Sequence, residues 1–513
     1  MIRFSYIELT DFKNTANGVI HFPASGINPC DLGPGADIVG IYGQNGSGKT
    51  SVVDALSILK SFLSGDGYHK TSVLDSFAPG NDSFSLAIGM ECSLEGVIQD
   101  VLRYEVTFAR EGDTVWVARE KISGRFTSPL PNRAKSSQRT LIEVTQPSLA
   151  DVPVLAPRSS WKSLLAANAK IKTGIYVKMG LAQHEGRSLI VNYDFYRRIC
   201  ELALYAYRSD ADYGDASPLD AIVDRLNWEA PEDAPLTFKT AYYDVLDPAI
   251  FLIPQIGYHF TYNVGIVTTL DHAACSLQLM AVNTEIDRYG FGEPPVTISL
   301  SKPAELDDVQ YAGVRSSVAG ISKVMGSLIP GFSIVVEDLG SRISDSGEEV
   351  RRIEFLSNRG GVKIPLRCES EGVRKLISLT TTLVQVHTRQ EAFVAIDELD
   401  AGVFEYLLGE LLGVIGEFGK GQLLFTAHNL RALETLGVKN IVLSTTNPKK
   451  RFIRFKGHRA TNNLRDQYLR AINLGGQDEP VYASTNKYDI DEALYSALSS
   501  AGAQCQHGEV GGE

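Results

Sequence analysis

The feature that most constrains this 513-residue chain is the glycine-rich string GQNGSGKT at residues 43–50. It satisfies the P-loop pattern GxxxxGK[ST], in which glycines let backbone N–H groups converge on phosphate oxygens. The stretch DIVGIY at residues 37–42, apolar after its first residue, precedes it, and apolar residues at a helical period follow over residues 51–63. Because strand, loop and helix is the order that a P-loop requires, a chance match is a weak alternative. The residues predicted to hold ATP here are Gly43, Gln44, Asn45, Gly46, Ser47, Gly48, Lys49, Thr50 and Ser51.

A P-loop also needs a carboxylate for its metal ion, and the apolar run at residues 393–396 ends in two acids, Asp397 and Glu398. Thr50 and Asp397 are the predicted Mg²⁺ residues, and Lys49 is predicted to reach the β and γ phosphates. Glu398 is predicted to polarise the attacking water. The alternative is a strand that simply ends at the surface, which the presence of the P-loop disfavours.

Three weaker features accompany these motifs. Ser370 and Gly372 open a helical pattern, where free N–H groups could bind the γ phosphate of a nucleotide held by another subunit. Asp400 follows the acidic pair, at the position of a loop that would cross a dimer interface. His428 follows the apolar run at residues 422–425 and is a candidate γ-phosphate sensor. An ordinary helix N-cap and a structural histidine are the alternatives.

Charge and cysteine usage narrow the class further. A net charge of −12 argues against nucleic-acid binding over the whole surface. The six cysteines are scattered without CxxC or CxxH spacing, which argues against zinc and against a disulfide framework. Apolar runs are too short to span a bilayer and the N-terminus lacks a signal-peptide layout, so a cytoplasmic protein with no membrane partner is expected.

The periodicities predict an α/β fold in four parts. Residues 1–124 form the N-terminal lobe of an ATPase head, with the P-loop and a β meander at residues 83–123. Residues 125–294 form a mainly helical insertion, with clear helical patterns at residues 189–207 and 269–289. Residues 295–474 form the C-terminal lobe, where helices alternate with buried strands in a mixed sheet. Residues 475–513 form a polar tail, expected to be disordered beyond Ser500.

The order of P-loop, Ser-x-Gly helix, Asp-Glu strand, Asp loop and histidine loop resembles the ABC-type ATPase heads of the SMC, RecF and OLD group. The opening at residues 7–14, IELTDFKN, is similar to the start of these proteins. Residues 361–366, the ESEGVRKLI string after them and the segment from Arg459 to Arg470 resemble the compact OLD-like ATPases of bacterial anti-phage systems, such as PtuA of Septu and AriA of PARIS. The resemblance covers residues 1–60 and 315–475 and hardly touches the middle. The string SEGV stands in place of the transporter LSGG, and no Q-loop glutamine is evident.

This resemblance implies a P-loop NTPase of the ABC-ATPase head type that uses ATP and Mg²⁺. It also implies a head-to-tail homodimer or higher homo-oligomer, in which Ser370 and Gly372 of one subunit close on the ATP of the other. A DNA or phage-protein trigger and a separate effector, a nuclease or toxin, are the further partners implied.

Only about seventy residues follow His428 before the periodic pattern ends, which leaves no room for a Toprim nuclease, and the nine histidines are too dispersed for an HNH site. We therefore expect an ATPase that acts as sensor or scaffold and has no nuclease activity of its own. The rival interpretation is a RecF- or SMC-like DNA-repair or DNA-clamping ATPase. Its support is a basic segment at residues 449–470, which is alternatively a solvated strand pair. The segment's cations are Lys449, Lys450, Arg451, Arg454, Lys456, Arg459, Arg465 and Arg470.

Overall fold

A computed structural model describes the chain over residues 1–27, 31–94, 98–125, 138–207, 236–269, 276–278, 297–299, 302–343, 347, 349–456 and 463–505. The strands are β1 Ile2–Phe12, β2 Thr15–His21, β3 Asp37–Tyr42, β4 Ser83–Leu94, β5 Ile98–Glu111, β6 Thr114–Arg125, β7 Arg139–Thr145, β8 Val154–Ala156, β9 Val264–Val267, β10 Ser276–Gln278, β11 Thr297–Ser299, β12 Ala304–Leu306, β13 Phe332–Ile343, β14 Glu349–Arg359, β15 Val362–Pro365, β16 Phe393–Ile396, β17 Gln422–Thr426, β18 Ile441–Ser444 and β19 Phe452–Ile453.

The helices are α1 Lys49–Ser64, α2 Lys70–Leu74, α3 Arg158–Ala166, α4 Ala169–His184, α5 Tyr193–Tyr207, α6 Leu236–Ala241, α7 Asp247–Tyr262, α8 Asp308–Leu328, α9 Glu371–Thr388, α10 Glu405–Phe418, α11 Ala432–Thr435, α12 Leu464–Leu474 and α13 Lys487–Cys505. None of the helices in these described parts of the chain has the length and apolar character needed to cross a bilayer.

The P-loop strand lies inside a six-stranded sheet of order β19-β18-β3-β17-β16-β9. The strands from β18 to β9 run parallel, and β19 pairs antiparallel to β18. The sheet is buried on both faces, because alternate residues enter two different cores. Phe393 and Ala395 of β16 pack with α1 and the N-terminal sheet, whereas Val394 and Ile396 pack with α9 and α10. The predicted α/β class, a mixed sheet with flanking helices, is confirmed.

A seven-stranded sheet of order β2-β1-β4-β5-β6-β7-β8 packs across one face of α1. Its pairs are antiparallel, and neighbours in sequence are mostly neighbours in space. The sheet continues past residue 124, because β7 and β8 pair onto the edge of β6. The predicted boundary at residue 124 therefore falls within this sheet, and the four-part division stays a prediction.

A smaller sheet of order β12-β14-β13, with β15 on β14, packs against α8 and α9. Helix α8 begins with a capping box, in which the Asp307 side chain accepts from the Gln310 N–H and the Gln310 side chain accepts from the Asp307 N–H. This unit carries the N-terminal end of α9, and with it Ser370.

The two large sheets are joined by the side-chain amide of Gln422 at the start of β17. Its Oε1 accepts from the Phe4 N–H at 2.7 Å and its Nε2 donates to the Phe4 carbonyl at 2.8 Å. Nearby, the buried Arg3 donates to the carbonyls of Gln390 and Lys420 at 2.7 and 2.9 Å. Buried polar groups must find partners, so these contacts fix how β1 lies on the parallel sheet.

Parts of the middle and the tail differ from the sequence-based expectation. The prediction of a helix over residues 269–289 is wrong for Ser276–Gln278, because these residues form β10 and pair with β11. Most of the other residues in that range lie outside the described residues. Strand β9 falls in the predicted helical insertion but completes the parallel sheet. In the tail, α13 continues through Ser500 to Cys505, since Ala501 and Ala503 are strong helix formers.

The helical middle is tied to the N-terminal sheet by one buried carboxyl group, that of Glu120 on β6. It accepts from the Tyr104 hydroxyl at 2.8 Å, from the Leu189 N–H at 2.6 Å and from the Ser188 hydroxyl. Burial raises the pKa of Glu120 to about 7, and the hydrogen bonds from Ser188 and Tyr104 oppose that shift. The loop that precedes α5 is thus held by a group that titrates near neutrality.

We predict that Glu120→Gln reduces the pH dependence of stability. The unfolded carboxyl ionises near pH 4.5 and the folded one near pH 7, so the folded state holds the extra proton in that window. Its stabilising contribution is complete below the unfolded pKa and is lost as pH rises through the folded pKa. Between about pH 5 and pH 8 the wild type should lose on the order of 3 kcal/mol more than the variant. Denaturant unfolding at both pH values measures this, with Glu111→Gln on an exposed hairpin as control; parallel curves for Glu120→Gln and wild type would contradict it.

Candidate nucleotide-binding site

The P-loop turns sharply between the end of β3 and the start of α1. Gly46 and Gly48 have φ values of 77° and 85°, in the left-handed region that favours glycine. A Cβ at Gly43 would lie 2.6 Å from the Ser444 carbonyl oxygen, so no other residue fits at that position without displacement of the backbone. The loop is therefore shaped by glycine at its first, fourth and sixth residues, and the open end of α1 faces the turn.

Lys49 is buried at the base of this loop. Its Nζ donates to the carbonyls of Gly43 at 2.8 Å and Gln44 at 3.0 Å. Burial lowers the pKa of Lys49, and the negative charges of Asp397, Glu398 and Asp400 oppose that shift. The ammonium group thus faces the acidic edge of the parallel sheet.

Asp397 leaves the end of β16 and meets three threonine hydroxyls. Its Oδ1 accepts from Thr50 at 3.3 Å and from Thr426 at 2.5 Å, and its Oδ2 accepts from Thr269 at 2.7 Å. Asp397 is only 1% exposed, so this carboxylate depends on protein donors instead of water. Thr50 and Asp397, the two predicted Mg²⁺ residues, are far apart in the sequence but are in direct contact in the structure.

Glu398 follows in an unusual backbone conformation, with a φ of 47°. Its N–H donates to the Thr426 hydroxyl at 2.8 Å, and its carbonyl accepts from Lys375 Nζ at 3.2 Å. Its side chain lines the cleft in front of the P-loop. A left-handed non-glycine residue is strained, so the contacts around it must hold it in place.

Asp400 contacts the histidine loop of its own chain. Its Oδ2 accepts from the N–H groups of His428 at 2.9 Å and Asn429 at 2.6 Å. The Tyr42 hydroxyl donates to the Asn429 carbonyl at 3.0 Å. The loops after β16 and β17 are therefore joined by hydrogen bonds, and His428 lines the cleft.

Ser370 and Gly372 lie elsewhere. Ser370 is the N-cap of α9, with its hydroxyl accepting from the Val373 N–H at 3.4 Å. A Cβ at Gly372 would lie 2.7 Å from the Gly402 carbonyl oxygen, so this glycine also serves a close contact within the chain. Neither residue lines the cleft in front of the P-loop. The N-terminal end of α9 is exposed at Ser370 and lies outside the lining of its own chain's cleft.

The cleft has a volume of about 480 Å³ and combines residues from both lobes. Four of its polar residues, Lys13, Asn14, Asp54 and Thr426, were not predicted as site residues. Lys13 Nζ pairs with Asp54 Oδ2 at 2.5 Å, and Asn14 Nδ2 donates to the Gly46 carbonyl at 2.7 Å. The FKN string at the end of β1 is a sequence signal for Lys13 and Asn14, whereas Asp54 and Thr426 have none. The lining residues are Lys13, Asn14, Asn45, Gly46, Gly48, Lys49, Thr50, Ser51, Asp54, Glu398, Thr426 and His428.

The outer side of the P-loop is supported by residues 444 and 483, one in β18 and one in the tail. The Ser444 hydroxyl donates to the Ser47 carbonyl, and the Ala483 N–H donates to Gln44 Oε1 at 2.8 Å. Ser47 also donates its hydroxyl to the Gln44 carbonyl at 2.7 Å. Gln44 and Ser47 therefore hold the loop in shape, whereas Asn45 and Ser51 face the cleft.

Much of the basic segment is used inside the molecule. Arg451 is buried and donates to the carbonyls of Thr445, at 2.7 Å, and Asn14. Arg454 donates to the carbonyls of His21, Lys439 and Ile441. The paired side chains at the surface are Lys450 with Glu479 and Asp478, Lys456 with Asp478, and Arg465 with Glu434. Arg459 lies outside the described residues, and Lys449 and Arg470 are exposed.

Comparison with known proteins gives distant fold matches. No protein-family model and no curated protein matches the chain. Solved structures that it resembles include the Smc head domain of Pyrococcus furiosus bound to the C-terminal domain of ScpA, with 12% identity, 89% of this chain and 96% of that chain covered, and a TM-score of 0.36. The SMC head domain of Thermotoga maritima is 12% identical, with 88% of this chain and 99% of that chain covered and a TM-score of 0.33. The recombination mediator RecF with ATP is 10% identical, with 83% of this chain and 94% of that chain covered and a TM-score of 0.31. Likeness this low carries no argument about activity or partners.

We predict that Gly372→Ala destabilises the protein by about 1–3 kcal/mol, because the new methyl group must displace the Gly402 carbonyl and the loop that contains it. Gly413→Ala is the matched control. A Cβ at Gly413 on α10 meets nothing within 4 Å, so this helical substitution should stabilise by roughly 0.5–1 kcal/mol. Denaturant unfolding of both variants measures the difference, and equal shifts would contradict the contact.

Proposed function

We propose that this chain is an ATP-binding and ATP-hydrolysing switch of the ABC type. The observation that carries the proposal is the contact between Thr50 of the P-loop and Asp397 of β16, beside Lys49 and Glu398 in one cleft. A hydroxyl and a carboxylate that meet behind a P-loop are the oxygen ligands that Mg²⁺ prefers.

The residues present fit Mg-ATP. Glycines at residues 43, 46 and 48 leave room for the phosphates next to the backbone. A Cβ at Gly43 or Gly48 would lie less than 3 Å from other protein atoms, so these two positions require glycine. Thr50 and Asp397 would hold the metal ion, and Lys49 would exchange its carbonyl partners for phosphate oxygens. When bound, the metal ion would neutralise charge on the phosphates. Glu398 would orient a water molecule in the cleft, and His428 would contact the γ phosphate from the facing loop.

The site is proposed to be completed by a second copy of the chain. Ser370 is exposed and caps α9 outside its own cleft, and that helix end carries free N–H groups. In a head-to-tail dimer it would close on the ATP of the partner. Lys375, on the next turn of α9, contacts the Glu398 carbonyl of its own chain. Binding of α9 to the partner's ATP would therefore be coupled to the position of Glu398 in the chain that provides α9.

At the finer level we propose a sensor or scaffold subunit of a bacterial anti-phage system that holds and releases a separate toxic effector. This rests on the resemblance to OLD-like ATPases. The alternative, a DNA-repair or DNA-clamping ATPase, is less favoured because Arg451 and Arg454 of the basic segment are bound within the fold and Lys450 and Lys456 are paired with acids.

We predict that Lys49→Ala abolishes nucleotide binding, whereas Glu398→Gln binds ATP and accumulates as a closed dimer or larger assembly. Size-exclusion chromatography with ATP and Mg²⁺ measures this. Lys162→Ala, an exposed change on α3, is the control and should behave as wild type. Identical elution of Lys49→Ala and Glu398→Gln with ATP would reject the shared site.

We predict that the purified chain leaves plasmid DNA and tRNA intact with Mg²⁺ and ATP, and binds duplex DNA weakly. Metal-dependent cleavage that persists in Lys49→Ala would overturn the scaffold role. Steeply salt-dependent DNA binding, lost when Lys449, Lys450 and Lys456 are changed to alanine, would favour the alternative function. The control changes Lys162, Lys170 and Lys172, which are equally exposed and alter the net charge by the same amount.

A further inference from the structure

The hydroxyl of Thr426 occupies a position between the two acids of the site. Thr426 is the last residue of β17 and is 1% exposed. Its Oγ1 donates to Asp397 Oδ1 at 2.5 Å and accepts from the Glu398 N–H at 2.8 Å. One buried side chain therefore contacts both the proposed metal-binding residue and the backbone of the proposed catalytic residue.

The second of these contacts falls on strained backbone. Glu398 has a φ of 47°, in the left-handed region that is unfavourable for a residue with a side chain. The partly buried hydrogen bond from its N–H to Thr426 offsets part of that unfavourable energy. Without an acceptor at residue 426, the N–H of Glu398 would lose its partner and the strained conformation would lose its support.

The direction of the Glu398 side chain follows from this backbone conformation. In the left-handed conformation the side chain lines the cleft in front of the P-loop. A return to an ordinary extended or helical φ would rotate the Cα–Cβ bond and move the carboxylate by several ångströms, on the scale of a side-chain length. A general base displaced that far no longer reaches a water molecule beside the phosphate.

We propose that Thr426 is a positioning residue for hydrolysis: its hydroxyl holds Glu398 in the strained conformation that directs the carboxylate into the cleft. This rests on the proposed ATPase function. In this role Thr426 acts through the backbone of Glu398, from whose N–H it accepts a hydrogen bond. Its methyl group is dispensable for this role, and its hydroxyl oxygen is not.

The chain provides a matched control. Thr269 also donates to Asp397, at Oδ2, but makes no contact with Glu398. Thr269→Val and Thr426→Val each replace one hydroxyl by a methyl group of similar volume. If Thr426 acted only by holding Asp397, Thr426→Val should leave the Glu398 amide as protected as it is in Thr269→Val.

The test combines turnover, nucleotide binding and amide exchange. Thr426→Val should lower kcat by roughly 10- to 100-fold, since most of the contribution of a general base is lost, while the Kd for ATP changes less than about threefold. Thr426→Ser should keep kcat within about threefold of wild type. Thr269→Val should lower kcat less than Thr426→Val does, since it leaves the Glu398 N–H with its acceptor. In the Glu398→Gln background, Thr426→Val should cause no further loss, because the two changes remove the same contribution.

Hydrogen exchange at the Glu398 amide gives a readout that does not depend on turnover. It should accelerate by at least about tenfold in Thr426→Val and stay unchanged in Thr269→Val. Equal losses of kcat in the two valine variants, or an unchanged Glu398 amide in Thr426→Val, would overturn the proposal. A wild-type chain that does not hydrolyse ATP would reject the proposed function instead, and the exchange measurement would still decide whether Thr426 holds Glu398.

Discussion

The arrangement of this protein depends on the parallel pairing of β17 between the P-loop strand and the acidic strand. Thr426 pairs with Ile41 of β3, and Phe425 pairs with Ile396 of β16, so three strands end at the same level of the sheet. Parallel strands carry all their carboxyl ends at one edge. The P-loop, the acidic pair and the histidine loop are therefore neighbours as a consequence of register.

At that edge, hydroxyl groups and backbone amides stabilise the buried carboxylates by hydrogen bonds, a role that charged side chains have in many other sites. The Asp397 carboxylate is compensated by three threonines, and Asp400 takes two N–H groups of the histidine loop. Such donors stabilise charge without bringing a second charge out of water, which would be expensive. They also link the loops after β16 and β17 into one unit that contains both Glu398 and His428.

The sequence allowed the α/β class, the P-loop with its flanking elements and the acidic strand to be predicted, because each has a fixed spacing or a continuous apolar run. Thr426 and Thr269 could not be predicted, since a single threonine at a strand end has no distinctive pattern and its role arises from register. Arg451 was placed in a basic surface segment, yet it is buried against backbone carbonyls. Ser276–Gln278 was taken as helical because a short apolar run fits either period.

The order of strands in the parallel sheet has a consequence for synthesis. Strand β3 lies between β17 and β18, and its residue Asp37 pairs with Gln422, 385 residues later in the chain. The antiparallel sheet needs only residues up to Ala156, so it can form early on the ribosome while β3 still has two open edges. Open strand edges invite pairing with other chains. The nucleotide site is thus among the last parts to be assembled, and a chain that ended before residue 441 would lack β18 and could not complete the sheet around its P-loop strand.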